Sequence, residues 1–164
     1  MTNKAIAILF AATISAVFIH ACNRSPVETA QGEWIRGEEA DQLALIEAHF
    51  RGFDMAMVET GYRYTELYWA GQDENWNHAV YQGEKLQVAV ENGLQRRPLR
   101  APSAENFLNT ALPDMQAAAA SRDSERFAQS FQALTNQCNM CHALEDVAFF
   151  TVKPPVDRAS SIRF

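Results

Sequence analysis

The chemistry most legible in this chain sits in five residues, Cys138-Asn139-Met140-Cys141-His142. Two thiols and an imidazole stand at positions i, i+3 and i+4. On a helix, residues three and four apart share a face, so all three side chains can address one flat ring. Cys-x-x-Cys-His is the pattern of covalent haem attachment, with thioethers from the cysteines and iron ligation by the histidine. Two other chemistries also use Cys-x-x-Cys. A structural zinc site needs about four ligands in tetrahedral array. Outside the motif the chain offers Cys22, His20, His49 and His78, none paired at close spacing, although a carboxylate could complete such a site. A dithiol redox site belongs in a βαβ setting, and no segment here has that pattern.

The elements that must position the motif read as helices. Gly and Pro are sparse (7 and 6 in 164 residues) and Ala is abundant, which favours helix. From Glu38, with Glu39 and Asp41 in the first turn opposing the helix dipole, an apolar stripe runs through Leu43, Ile46, Phe50, Phe53 and Met57. It continues to Ala70, with Gly71 as a stop. This predicts one helix from 38 to 71, with Gly52 and Gly61 as weak points inside it. At Gly61 a bend, or the close approach of a flat ring, would explain the glycine. Asn75 is the expected N-cap of a second helix, Trp76 to about Arg97, which ends before Pro98. Its inner face is Leu86, Val90 and Leu94, with Ala79 and Gly83 where backbones come close. Residues 98–111 read as a connection with a short turn from Ser103. A third helix starts near Leu112, with Pro113 in its first turn, and buries Met115, Ala118 and Ala119. Asp123 caps a fourth helix, whose stripe of Phe127, Phe131 and Leu134 leads into the motif. The tail from about Val147 reads as an extended segment folding back over the core. The expected fold is all-α, an antiparallel four-helix bundle with its cofactor in the core, attached near the C-terminal end of the last helix.

The N-terminus has the form of an export signal, with Lys4 ahead of an apolar run from Ala5 to Ile19. The run is short for a spanning helix, which needs roughly 20 apolar residues. It ends in Ala21-Cys22, which resembles the lipobox of bacterial lipoproteins, although His20 is not typical of one. Cys22 is then the lipid-bearing first residue of the mature chain; ordinary cleavage nearby is the alternative. With one cysteine for lipid and two for haem, no disulfide is expected despite the oxidising compartment. The expected organisation is a signal segment 1–21, a tether 22–37, a four-helix domain 38–155 and a loose tail 156–164. Removing residues 1–21 takes away only Lys4, leaving 13 basic against 20 acidic residues. An acidic domain lacks the footprint of nucleic-acid binding and can steer toward a basic partner surface. The expected location is the periplasm, tethered to a membrane.

Four helices with the attachment motif at the end of the last resemble cytochrome c′ and its relatives, the class II c-type cytochromes. The commonest small c-type cytochromes carry the motif near the N-terminus instead. The likeness is architectural over residues 38–155, and the shared motif is specific. Tyr68-Trp69-Ala70-Gly71 followed by Asn75-Trp76, and the Cys-Asn-x-Cys-His motif with its Phe-Phe-x-Val-x-Pro-Pro tail, are also similar to a group of small exported bacterial proteins related to that class. The resemblance implies one haem c, thioethers at Cys138 and Cys141, His142 as the proximal ligand, and a sixth position supplied from the first helix. In that class the sixth position is methionine or a bulky residue that does not ligate. It also implies pairing of the first two helices as a dimer face.

Met57 lies on the main apolar stripe and is the leading sixth-ligand candidate, ahead of Met55, His49 and His78; both methionines also suit ordinary core packing. Tyr62, Tyr64 and Tyr68 are candidates to line the pocket or simply to pack. Arg96 and Arg97 could pair with haem propionates through guanidinium forks, or lie solvated at a helix C-terminus. No catalytic constellation or phosphate loop is present, so an enzyme is not expected. The leading expectation is one-electron transfer with a redox partner protein. The alternatives are a five-coordinate haem that binds small gases such as nitric oxide or carbon monoxide, and a metal-stapled interaction protein.

Overall fold

A computed structural model describes residues 34–159. The signal segment 1–21, Cys22 and the terminal residues 160–164 lie outside the described residues. The described residues are helical and irregular, with no strand among them. No helix among them is long and apolar enough to cross a membrane. They fall into two compact units that divide between His49 and Phe50.

The described part of the first unit holds α1 (Glu39–Phe50) up to its last residue, and α1 has no buried residue. Gly37, at φ +94°, turns the chain into it, and Gln42 Nε2 donates to the Gly37 carbonyl at 2.9 Å. The Trp34 ring meets His49 edge-on at 4.5 Å.

The sequence pattern predicts one helix from Glu38 to Gly71, and here the structure departs from it. The chain breaks at Arg51, whose φ of 60° is left-handed and ends a helix. Asp54 fixes the restart: it accepts the Gly52 N–H at 3.1 Å and pairs with the Arg51 guanidinium. The second helix, α2, spans Phe53–Gln72. The apolar stripe is thus shared between two helices, and its first part stays outside any core, with Leu43 and Phe50 exposed. The compact unit that holds the motif begins at Phe50, not at residue 38.

In that second unit, α2 turns tightly into α3 (Trp76–Arg96) through Asp73, Glu74 and Asn75. Asn75 caps α3 by accepting the His78 N–H at 3.2 Å, as its residue type predicts. Two glycines let these helices and their neighbour approach. A Cβ on Gly71 would lie 2.0 Å from the Phe127 ring, and one on Gly93 would lie 2.7 Å from the Ala56 Cβ. After Pro98–Arg100, a 3₁₀ turn, the chain stays helical throughout: α4 (Ala101–Asn106), a π turn (Phe107–Ala111) and α5 (Leu112–Ser121). Residues 98–111 are therefore mostly helix rather than a loop. Pro113 explains the difference. It has no N–H to donate and its ring crowds the carbonyl four residues back. The ladder opens just before it, where the Leu112 N–H reaches back five residues to Phe107. A proline that reads as a helix start is accommodated inside one.

Arg122, at φ 58°, ends α5, and Asp123 caps α6 (Ser124–Leu144) by accepting the Glu125 and Arg126 N–H groups at 3.0 and 2.9 Å. α2 packs on α3, α3 on α5, α5 on α6 and α6 on α2. These four helices enclose one core, including Leu67, Leu86, Leu112, Met115, Phe127, Phe131 and Leu134. That arrangement is compatible with a four-helix bundle. The tail is less loose than its composition suggests. Arg158 pairs with Asp73 through two hydrogen bonds of 2.6 and 2.8 Å and lies 4.7 Å over the Trp69 ring.

Candidate functional site

The stripe that buries Phe127, Phe131 and Leu134 in α6 continues one turn further as Cys138, Cys141 and His142. There the core gives way to a cavity of about 490 Å³, which all three residues line. Both thiols are free. The α2 wall presents Phe53, Met57, Gly61 and Tyr64, which recur every three or four residues and so lie on one helical face. Val90 of α3, Ala104 of α4 and Phe107 of the π turn complete the helical lining. Val147, Phe150 and Val152 of the tail close it. A volume in the range of about 300–1,000 Å³ with mostly apolar walls and a few placed polar groups is what a small-molecule or cofactor site needs.

Gly61 is the one glycine of α2 on this wall. A Cβ built on it meets nothing within 4 Å, unlike those of Gly71 and Gly93. Thr60 Oγ1, on the same wall, is buried with no hydrogen-bond partner. Tyr64 is buried, and its hydroxyl lies 2.7 Å from Thr135 Oγ1. Thr135 already donates to the Phe131 carbonyl at 2.8 Å, so Tyr64 is the donor of that pair. Burial is the main reason the Tyr64 phenol is pushed up to about 12.

Burial also pushes the Cys138 thiol up to about 12, with the neighbouring Cys141 adding to the effect. Cys141 is raised as well, first by burial, with Glu145 adding and a hydrogen bond from Ser103 opposing. Both groups are therefore protonated at neutral pH, and thiolate-driven reactions are suppressed. Arg100 and Glu145 form an ion pair on the cavity wall, and the Ser103 hydroxyl lies between the Glu145 carboxylate and the Arg100 carbonyl. The Arg100 guanidinium also lies 5.6 Å over the Phe53 ring.

His142 Nδ1 is 2.5 Å from the carbonyl oxygen of Phe150. A carbonyl only accepts, so Nδ1 carries the proton and the Nε2 lone pair is left available. Metal-ligating histidines are held in this way. Phe150 is brought there by the tail. The Val147 N–H returns to the His142 carbonyl at 2.8 Å, and the Phe150 N–H returns to Val147 at 2.9 Å. Asn139 then clamps Val152: its Nδ2 donates to the Val152 carbonyl at 2.9 Å, and its Oδ1 accepts the Val152 N–H at 2.8 Å.

Of the residues singled out in the sequence, the cavity brings together Cys138, Cys141, His142, Met57 and Tyr64. The others lie elsewhere. Met55 and Tyr62 are exposed on other faces of α2. His49 belongs to the first unit. His78 pairs with Gln82 at 2.7 Å near the start of α3, and Tyr68 packs on Phe131 and Trp69. Arg96 donates to the Phe50 carbonyl at 3.2 Å, Arg97 donates to the Arg96 carbonyl at 2.7 Å, and neither lines the cavity. The cavity's arginine is Arg100, which the sequence does not single out. Glu145 had a signal, since it lies one turn beyond Cys141 and His142 on the same helical side. Arg100 had none, because a 3₁₀ turn places it.

Among the described residues no three His, Cys, Asp or Glu side chains converge as a metal-ion site. The site offers one imidazole and two thiols, with the Glu145 carboxylate on the same wall, around a roomy apolar space. Compared with protein families, characterised proteins and solved structures, the chain matches none of them.

Proposed function

We propose that the cavity holds one haem, joined through thioethers to Cys138 and Cys141 with His142 on the iron, and that the protein carries single electrons in the bacterial cell envelope. The observation that carries this reading is the His142 ring, with Nδ1 committed to the Phe150 carbonyl and Nε2 left as a ligand beside two free thiols. The rest of the cavity fits the group. Gly61 leaves the α2 wall bare where a side chain would project, and Thr60 Oγ1 lacks a partner in the protein. Bound there, the haem supplies a one-electron ferric/ferrous couple whose potential the protein tunes.

The chain's own residues then have separable tasks. Cys138 and Cys141 would tether the group through thioethers. His142 supplies the ligand. Phe53, Tyr64, Val90 and Phe107 exclude water and lower the local dielectric. Met57 supplies the one thioether sulfur on the α2 wall, available as the sixth ligand. Arg100 brings a guanidinium to the cavity. On the same reading Cys22 holds a lipid that tethers the exported chain, the acidic surface meets a basic redox partner, and two copies pair as in class II relatives.

The open space in front of Gly61 favours a second reading, in which the α2 wall leaves the iron five-coordinate for a small gas such as nitric oxide or carbon monoxide. Optical spectra of the full chain, expressed with a haem c maturation system, separate the two. A low-spin ferrous spectrum unmoved by carbon monoxide, and lost in Met57→Ala, supports electron transfer with Met57 as ligand. A high-spin spectrum that shifts on carbon monoxide supports gas binding. Absence of covalent haem overturns both.

A further inference from the structure

Asn139 occupies a variable position of the Cys-x-x-Cys-His motif, where the attachment chemistry makes no demand on residue type. Its side chain nevertheless makes three hydrogen bonds, and two of them leave the helix. Nδ2 donates to the Thr135 carbonyl at 3.1 Å within α6 and to the Val152 carbonyl at 2.9 Å, and Oδ1 accepts the Val152 N–H at 2.8 Å. One carboxamide thus pairs with both backbone groups of one tail residue, much as a neighbouring strand would. Two residues before that clamp, the Phe150 carbonyl meets His142 Nδ1 at 2.5 Å. The tail is therefore held to α6 by the Val147 N–H on the His142 carbonyl and by two side chains one helical turn apart, Asn139 and His142. Farther along, Arg158 is fixed by Asp73 and Trp69. The Phe149 and Phe150 side chains are themselves mostly exposed, so side-chain burial does little to hold the Phe150 carbonyl in place.

From this we infer that Asn139 is a positioning residue for His142. By fixing the register of Val152, it holds the Phe150 carbonyl on Nδ1 and so sets the tautomer and ring orientation of the imidazole. The effect follows from the hydrogen bond: a free imidazole favours the proton on Nε2, which would block the ligating lone pair. A carbonyl acceptor at Nδ1 reverses that preference and strengthens Nε2 as an electron donor to a metal. A stronger donor favours the ferric state, so the clamp would hold the potential down. The inference concerns the histidine itself, and only its redox consequence rests on the proposed function.

The test uses Asn139→Ala, which removes the clamp while placing the best helix former inside α6. Asn139→Asp is the second variant; it keeps an acceptor for the Val152 N–H but turns both donations into repulsions. The first readout needs no haem. In the ¹⁵N-labelled full chain, the His142 ring nitrogens report the tautomer. Wild type is expected to be protonated at Nδ1, and both variants to move toward Nε2 protonation with unchanged helical circular dichroism. The second readout is the ferric/ferrous equilibrium of the haem-loaded protein. It is expected to shift about tenfold toward the ferrous form, the size of effect typical of a lost partner behind a metal ligand, which is 59 mV for a one-electron couple. Ring signals identical in wild type and both variants overturn the inference, whatever the haem content. A wild-type chain that shows the Nδ1 tautomer, loses it in the variants and yet takes up no haem sustains the positioning role and overturns the electron-transfer reading instead.

Discussion

Replacing Gly61 with alanine tests the cavity through stability. Gly61 lies in the interior of α2, and its φ is not positive, so alanine can adopt its backbone conformation. A glycine in a helix interior costs about 1 kcal/mol relative to alanine. A Cβ at Gly61 meets no atom within 4 Å, so the haem-free protein should collect that gain in full. For a unit of this size that is a rise of about 4 °C in melting temperature. Gly71 offers the contrast on the same helix. Its Cβ would lie 2.0 Å and 2.3 Å from two carbons of the buried Phe127 ring. The same propensity gain is then outweighed by overpacking, which costs about 1–3 kcal/mol, so Gly71→Ala should lower the melting temperature. The decisive comparison is between forms of Gly61→Ala. With haem bound against the α2 wall, the added methyl occupies space the ring needs, and the gain should vanish or reverse. Gly61→Leu should go further and reduce covalent haem per chain, measured by pyridine haemochrome. An equal gain for Gly61→Ala in both forms would refute the idea that a ligand explains this glycine. A loss in the haem-free form would refute the open space itself.

Three further outcomes follow from the same geometry. The Cys138 thiol and the Tyr64 phenol are both raised in the folded state, so the folded haem-free chain holds protons that the unfolded chain releases between about pH 9 and 12; its stability is full below about pH 9 and falls as pH rises through that window. Urea titrations across that range should show the fall, and haem-loaded protein, whose thioether sulfurs no longer titrate, should show a smaller one. Tyr64→Phe should cost about 1 kcal/mol in denaturant unfolding and no more, because Thr135 keeps its bond to the Phe131 carbonyl when the phenol is removed. Arg158→Ala should free the tail from Asp73 and Trp69, seen as faster hydrogen exchange beyond Val152 with the helical content unchanged.

The sequence alone determined the parts that depend on spacing and on residue type within one turn. Asn75 and Asp123 announce helix starts because a short polar side chain satisfies the first N–H groups, and both cap as expected. The inner faces of α3 and α6, from Leu86 to Val90 and from Phe127 to Leu134, are readable because burial follows the helical period. The same period put Cys138, Cys141 and His142 on one face. Periodicity failed where backbone geometry overrode it. The stripe from Leu43 to Met57 is unbroken in sequence, yet Arg51 turns left-handed within it, and Pro113 sits inside a helix because a π turn releases the carbonyl it would block. Only the tertiary structure decided what surrounds the motif. The apolar stripe already ranked Met57 above Met55, but that Arg100 rather than Arg96 or Arg97 lines the cavity depends on a 3₁₀ turn. The Phe150 carbonyl that fixes the His142 ring is a backbone group, and backbone groups leave no mark in sequence. It reaches the imidazole because the chain folds back from α6, through the Val147 N–H on the His142 carbonyl and the bonds between Asn139 and Val152.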